Sequence, residues 1–210
     1  MIIQRFTVGM FLTNCYIVAC KQTKEAIIID PGFNNHLEAE KPIKFIHDNM
    51  LTIKFIVNTH GHSDHICGNK MMKKRFHTPI LIHEHDAHML AKSSTKTDMF
   101  GFENSSPPAD MLLHDGDSVQ FGKITLKVIH TPGHTRGSIS LLAKKEIFTG
   151  DTLFAGSIGR TDFPESSQLD MKSSLKKLAK MPNQLIIYPG HGPTTTISQE
   201  KQGNPFLQFL

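Results

Sequence analysis

The chain has 210 residues, 39% hydrophobic and 20% charged, enough apolar material to bury a substantial core and too much for a disordered chain. Its 23 basic and 19 acidic residues are interspersed, so no long charged block points to nucleic acid, and the short run Lys70, Lys73, Lys74 and Arg75 reads as a solvated helix face. Cys15, Cys20 and Cys67 are odd in number and lack CxxC or finger spacing, which argues against a disulfide framework and predicts small buried side chains in a reducing, cytoplasmic compartment.

From the amino terminus, residues 2–8 and 14–20 predict strands. Gln4, Arg5, Thr7, Gly9, Thr13 and Asn14 interrupt the apolar start and argue against a secretion signal or a membrane span. Residues 26–30 predict a buried strand ending at Pro31-Gly32, and 37–50 a helix with Leu37, Ile43, Ile46 and Met50 near one face. A strand over 53–58, a basic amphipathic helix over 66–76, a short strand over 79–82 and a short helix over 84–92 follow. Residues 92–110 turn to Ser, Thr, Asn and Pro around Met99, Phe100 and Phe102, which predicts a long surface loop whose apolar residues either line a cleft or pack on the body. The second half predicts strands near 118–121, 123–129, 138–142 and 145–148, a helix over 168–180 and a strand over 184–188. Strands apolar on both faces need cover on both sides, so the pattern implies two sheets flanked by helices.

Four segments carry the chemistry. In Thr59-His60-Gly61-His62-Ser63-Asp64-His65, four metal-competent side chains follow one strand, and Gly61 lets the backbone turn so that they converge. Thr131-Pro132-Gly133-His134-Thr135, Thr149-Gly150-Asp151-Thr152 and Tyr188-Pro189-Gly190-His191-Gly192 likewise place a His or Asp beside glycine at a strand end. Ligands gathered at the carboxyl ends of four strands are what a shared cleft at one edge of the sheets requires. Asp30, ahead of its turn, is either a buttress for a ligand histidine or an ordinary turn aspartate.

The succession THGHSDH, TPGHT, GD and PGHG resembles the metallo-β-lactamase superfamily. The resemblance implies an α/β (α+β) fold, an αββα sandwich of two mixed β-sheets flanked by helices, as one domain over 1–210. It also implies one metal ion on His60, His62 and His134, a second on Asp64, His65 and His191, and Asp151 bridging them. Two Zn²⁺ per chain are expected, iron or manganese being compatible with the same ligands. A metal-bridging hydroxide is the implied nucleophile, since zinc lowers the pKa of its water to about 7. Asp64 has a second expected role, as proton acceptor or shuttle.

Gly150-Asp151-Thr152-Leu153-Phe154-Ala155-Gly156, running into Gly159-Arg160-Thr161-Asp162-Phe163, and the tail Gly203-Asn204-Pro205-Phe206 look like the short glyoxalase II (hydroxyacylglutathione hydrolase) group. That implies hydrolysis of a small-molecule acyl thioester, or a related ester or lactone, with no nucleic acid and no membrane as partner. Arg160 is a candidate to meet a substrate carboxylate. The chain departs from larger glyoxalase II enzymes: no carboxyl-terminal glutathione-binding helical domain is expected, and Gly192-Pro193 stands where those enzymes place a tyrosine. Persulfide dioxygenases, which use one iron, share the ligand pattern and are the alternative reading. A promiscuous lactonase or β-lactamase is a further one, although true β-lactamases usually lack the bridging aspartate. A non-catalytic metal-binding module would be expected to have lost ligands, and none of the seven is missing.

Overall fold

The computed structural model describes residues 1–90 and 106–208. Met99, Phe100 and Phe102 lie outside them. One six-stranded sheet has the order β1 (Ile2–Val8), β2 (Thr13–Ala19), β3 (Glu25–Ile29), β4 (Thr52–Val57), β5 (Ile80–His83), β6 (Met111–Leu113), antiparallel from β1 to β3 and parallel from β3 to β6. The second contains β7 (Ser118–Phe121), β8 (Ile124–His130), β9 (Ile139–Leu142) and β10 (Glu146–Gly150). After a small hairpin of β11 (Leu153–Phe154) and β12 (Ser157–Ile158), β13 (Ile186–Pro189) pairs in parallel with β10, and β14 (Thr195–Thr196) closes that edge.

Period-two alternation builds the layers. On β2 and β3, Tyr16, Val18, Ile27 and Ile29 face the second sheet and pack with Phe121, Leu126, Val128, Leu141 and Phe148. Their neighbours Cys15, Ile17, Ala19 and Ile28 point the other way, onto α1 (His36–Asp48), α2 (Ser63–Ile66), α3 (Asn69–Phe76) and α4 (Ala87–Leu90) through Ala39, Ile46, Ile66, Met72 and Leu90. On the far side Ile129, Ile147 and Ile187 meet α5 (Gln168–Ala179), α6 (Ile197–Gly203) and α7 (Pro205–Gln208) through Met171, Leu175, Leu178, Ile197 and Leu207. The central strands β2 and β3 are therefore covered on both faces, while edge strands such as β6 and β7 keep exposed residues, and the order of layers is the expected helix, sheet, sheet, helix.

Local departures have local causes. α1 starts at its Asn35 cap and stops before Met50, whose φ of 53° cannot continue a helix, so Ala39, Pro42 and Ile46 form the buried face while Leu37 and Met50 are exposed. The helix expected over 66–76 is divided into α2 and α3. At the break the Gly68 N–H bonds the Pro31 carbonyl at 2.7 Å, and a Cβ at Gly68 would strike that carbonyl and the Phe33 ring. The helix expected over 84–92 begins as a 3₁₀ turn, Glu84–Asp86, before α4. β6, β11, β12, β14, α6 and α7 had no sequence signal, being too short for a period to show. The three cysteines are free. No helix among the described residues is long and apolar enough to cross a membrane.

Candidate metal centre

The segments following β4, β8, β10 and β13 meet at one edge of the sandwich. They bring His60, His62, Asp64, His65, His134, Asp151 and His191 together in three overlapping donor sets whose ligand atoms lie within 4.8 Å of one another: His60 with His62 and His134, His60 with His65 and Asp151, and Asp64 with His65 and His191. Two glycines allow this closeness. Gly150 takes a φ of 49° against the Thr59 side chain, and a Cβ on Gly190 would collide with Asp151 Oδ1 and the His65 ring.

Each histidine has one ring nitrogen occupied by the surrounding protein and the other turned inward. His65 Nδ1 is 3.0 Å from Asp30 Oδ2, His134 Nδ1 donates to the Arg160 carbonyl at 2.9 Å, and His191 Nδ1 donates to the Phe11 carbonyl at 3.0 Å. His60 Nδ1 lies 3.2 Å from Thr59 Oγ1. His62 is reversed: its Nε2 meets Glu165 Oε1 at 2.8 Å, so its Nδ1 faces the centre, 2.8 Å from His134 Nε2. Such outer partners set tautomer and ring orientation for metal ligands. Asp30 acts beyond this: its carboxylate also accepts the Thr59 N–H at 2.8 Å and the Thr59 hydroxyl at 2.7 Å, from a backbone φ of 49°. Conformations of that kind cost on the order of 1–3 kcal/mol and persist where the surroundings demand them.

Inside the ring, Asp64 Oδ2 is 3.4 Å from both His65 Nε2 and His191 Nε2 and accepts the Thr13 hydroxyl at 3.0 Å. Asp151 stands between the groups, Oδ1 3.4 Å from His65 Nε2, and Oδ2 3.5 Å from His134 Nε2 and 3.4 Å from His191 Nε2. Burial and the neighbouring imidazoles push His60 well below the usual imidazole range, and burial lowers His134 as well. Burial also opposes charge on His65 and His191, but Asp64 and Asp151 outweigh it, joined at His65 by Asp30, and raise them to about 9 and about 10. For Asp64 and Asp151 burial acts upward, and the histidines overcome it and hold both below the usual carboxylate range.

Whether these residues suit a divalent ion can be tested on their unsatisfied atoms. Among the described residues, His60 Nε2 and Asp151 Oδ1 are buried side-chain atoms without a hydrogen-bond partner, and both point into this cluster. Leaving such a group buried and unpaired costs about 1–3 kcal/mol. A cation among five imidazoles and two carboxylates satisfies both atoms at once, and the donor set fits.

Two residues that the sequence did not single out shape the centre. Glu165 is the His62 partner. Asp86, 1% exposed, links both histidine loops: its Oδ2 accepts the Gly61 N–H at 3.0 Å and the Thr135 hydroxyl at 2.6 Å, and its Oδ1 accepts the Gly137 N–H at 2.7 Å. Asp86→Asn, which turns one acceptor oxygen into a donor facing these donors, is expected to lower metal affinity or turnover by about 10- to 100-fold, as loss of an outer partner does. Metal content after dialysis against a graded chelator, alongside kcat, measures this; unchanged values would show that the loops hold their ligands without Asp86.

Above the centre opens a cleft of about 500 Å³ whose walls are Phe11, Phe154, Ile158 and Phe163 and whose floor includes His62, Asp64, His134, Asp151 and His191. Arg160 lines it too, but its guanidinium already pairs with Asp162 at 2.8 and 2.9 Å and lies 4.5 Å from the Phe163 ring centre. Both partners are exposed, so solvent screens the pair and it contributes little to stability.

A family model for the metallo-beta-lactamase superfamily matches residues 8–191. Hydroxyacylglutathione hydrolase GloC of Haemophilus influenzae is 37% identical over 211 residues, covering 98% of this chain and 97% of its own. Among solved structures, the B3 metallo-beta-lactamase BLEG-1 matches with a TM-score of 0.88 at 35% identity, covering 98% of this chain and 99% of its own. TTHA1623, solved in a di-iron-bound form, matches with a TM-score of 0.86 at 29% identity, covering 97% and 100%.

Proposed function

The chain belongs to the metallo-beta-lactamase superfamily, and on that premise we propose that it is a binuclear metal-dependent hydrolase of acyl thioesters. The position of Asp151 between two His-rich donor sets, one oxygen buried and unpartnered, is the observation that carries the binuclear reading. In this reading His60 Nε2, His62 Nδ1 and His134 Nε2 would hold one ion, Asp64, His65 and His191 would hold the other, and Asp151 would be shared between them. Zinc is the expected metal. Divalent ions there supply a Lewis acid and a water acidified to a pKa of about 7.

The residues around the centre do the rest. Thr13, His65 and His191 contact Asp64 Oδ2, and in this reading Asp64, which lines the cleft, also serves as an acceptor for a proton from water. Phe11, Phe154, Ile158 and Phe163 offer an apolar channel for the acyl and thiol arms and exclude bulk water from the reacting carbon. In this reading Arg160, which lines the cleft, exchanges Asp162 for a carboxylate on the thiol carrier. A thiolate leaves without being protonated, so the site needs no separate general acid. The likeness to GloC, a hydroxyacylglutathione hydrolase by name, supports this substrate class.

The test is thiol release from S-lactoylglutathione and from a simple acyl thioester by the metal-loaded protein. Steady hydrolysis of at least one is expected; no release from either at full metal content would overturn the thioester reading. The likeness to a B3 metallo-beta-lactamase favours a second reading, β-lactam hydrolysis in the same cleft, and a chromogenic cephalosporin measures it. The first reading predicts that it is much slower than thioester cleavage.

A further inference from the structure

We propose a third metal site in this protein, apart from the cleft: a transition-metal ion bound by His83, His85 and His130. β5 ends at His83, the 3₁₀ turn after it carries His85, and β8 ends at His130. Their ligand nitrogens lie within 4.8 Å of one another. Nitrogens sharing an ion at about 2.0–2.1 Å stand roughly 3.4 Å apart in a tetrahedral set, so the site closes when ring rotations open the parallel His83–His130 stack and turn the lone pairs toward one ion. None of the three lines the catalytic cleft.

The arrangement is more than surface histidines near one another. His83 is 2% exposed, and its ring stacks on His130 at 4.1 Å and 10°. The His85 ring is 4.9 Å from His83 and 5.7 Å from His130, so the three imidazoles form one cluster. His130 Nε2 donates to the Arg136 carbonyl at 2.8 Å, which turns its Nδ1 lone pair outward by the same device that orients the catalytic histidines. The contact from the His85 N–H to His83 Nδ1 is long, 3.3 Å, and fixes that ring only weakly. His85 is exposed, so water completes the coordination. An imidazole-only set of this kind selects zinc, nickel, copper or cobalt over magnesium or calcium.

Position gives the site a consequence. An ion there ties the turn after β5 to the end of β8. Asp86, next to His85, already joins that turn to Gly61 and Thr135 in the loops of His60, His62 and His134. Occupancy therefore stiffens the support of the catalytic centre.

The test starts from protein as isolated, with its own metals bound, titrated with zinc and then counted by elemental analysis after gel filtration. One additional ion per chain and a higher thermal midpoint are expected. His85→Ala and His130→Gln are expected to lose both effects while keeping the as-isolated metal content and the activity without added zinc. Absence of an additional ion, or an additional ion retained by the double variant, would overturn the proposal. The count is a difference from the as-isolated protein, so it stands whatever metals occupy the catalytic centre and whatever that centre hydrolyses.

Discussion

Replacing Asp151 by Asn or Ala is expected to abolish hydrolysis and to lower the number of bound metal ions. Its two oxygens lie 3.4–3.5 Å from His65, His134 and His191, and among the described residues it is the one carboxylate paired with His134 as well as with His65 and His191. Loss of an outer partner of a metal ligand costs about 10- to 100-fold, so loss of the bridge should exceed 100-fold in kcat. Asn keeps the volume under Gly190 while removing the charge and turning one acceptor oxygen into a donor, which separates bridging from packing. Kinetics together with metal content decide the matter: an Asp151→Asn protein with full metal content and kcat within tenfold of the parent would mean that the bridge is not needed.

Removal of metal should produce the other large effect. Chelated protein is expected to lose all hydrolysis and to regain it with zinc. It is also expected to unfold at lower temperature, because an ion present at 100 times its Kd stabilises the fold by about 2.7 kcal/mol. The metal-free protein has a distinctive pH dependence. His65 and His191 are raised above the ordinary imidazole value, to about 9 and about 10. A group raised on folding contributes stability that is complete below its unfolded pKa, near 6.5, and is lost as pH rises through the folded one. The thermal midpoint of chelated protein should therefore fall as pH goes from about 7 to 10. Metal-loaded protein should lack this fall, because the ions take the lone pairs that the protons occupied. Loading at pH 7 should release one proton from each of these histidines, measurable by calorimetry in buffers of different ionisation enthalpy. A pH-independent midpoint of the chelated protein with no proton release would contradict this electrostatic picture.

Much of the centre was legible because the ligands are local in sequence and flanked by glycine. His60, His62, Asp64 and His65 follow one strand, and His134, Asp151 and His191 follow three more, so strand ends and turn chemistry pointed to the four segments, while the assignment of the seven residues to two ions came from the family resemblance. Asp30 was visible only as one of two readings, since its contacts to Thr59 and His65 span 29 and 35 residues. Asp86 and Glu165 were not legible at all. The partners of Asp86 are 25, 49 and 51 residues away, and Glu165 is 103 residues from His62. No periodicity or motif spans such distances. For α1 the cause is local instead: its apolar residues suggested one face, but the Asn35 cap and the left-handed Met50 set where the helix begins and ends. Arg160 was expected as a substrate ligand, and its side chain is held by Asp162 while its carbonyl orients His134.

A centre of two ions that hydrolyses thioesters is checked by elemental analysis of protein purified without added metal, run beside S-lactoylglutathione hydrolysis on the same sample. About two ions per chain are expected in the Asp64, Asp151 and histidine cluster, zinc foremost, with thiol released in proportion to metal content. A single iron per chain, with oxygen uptake on glutathione persulfide and no thioester cleavage, would contradict it and leave the fold attached to a different reaction.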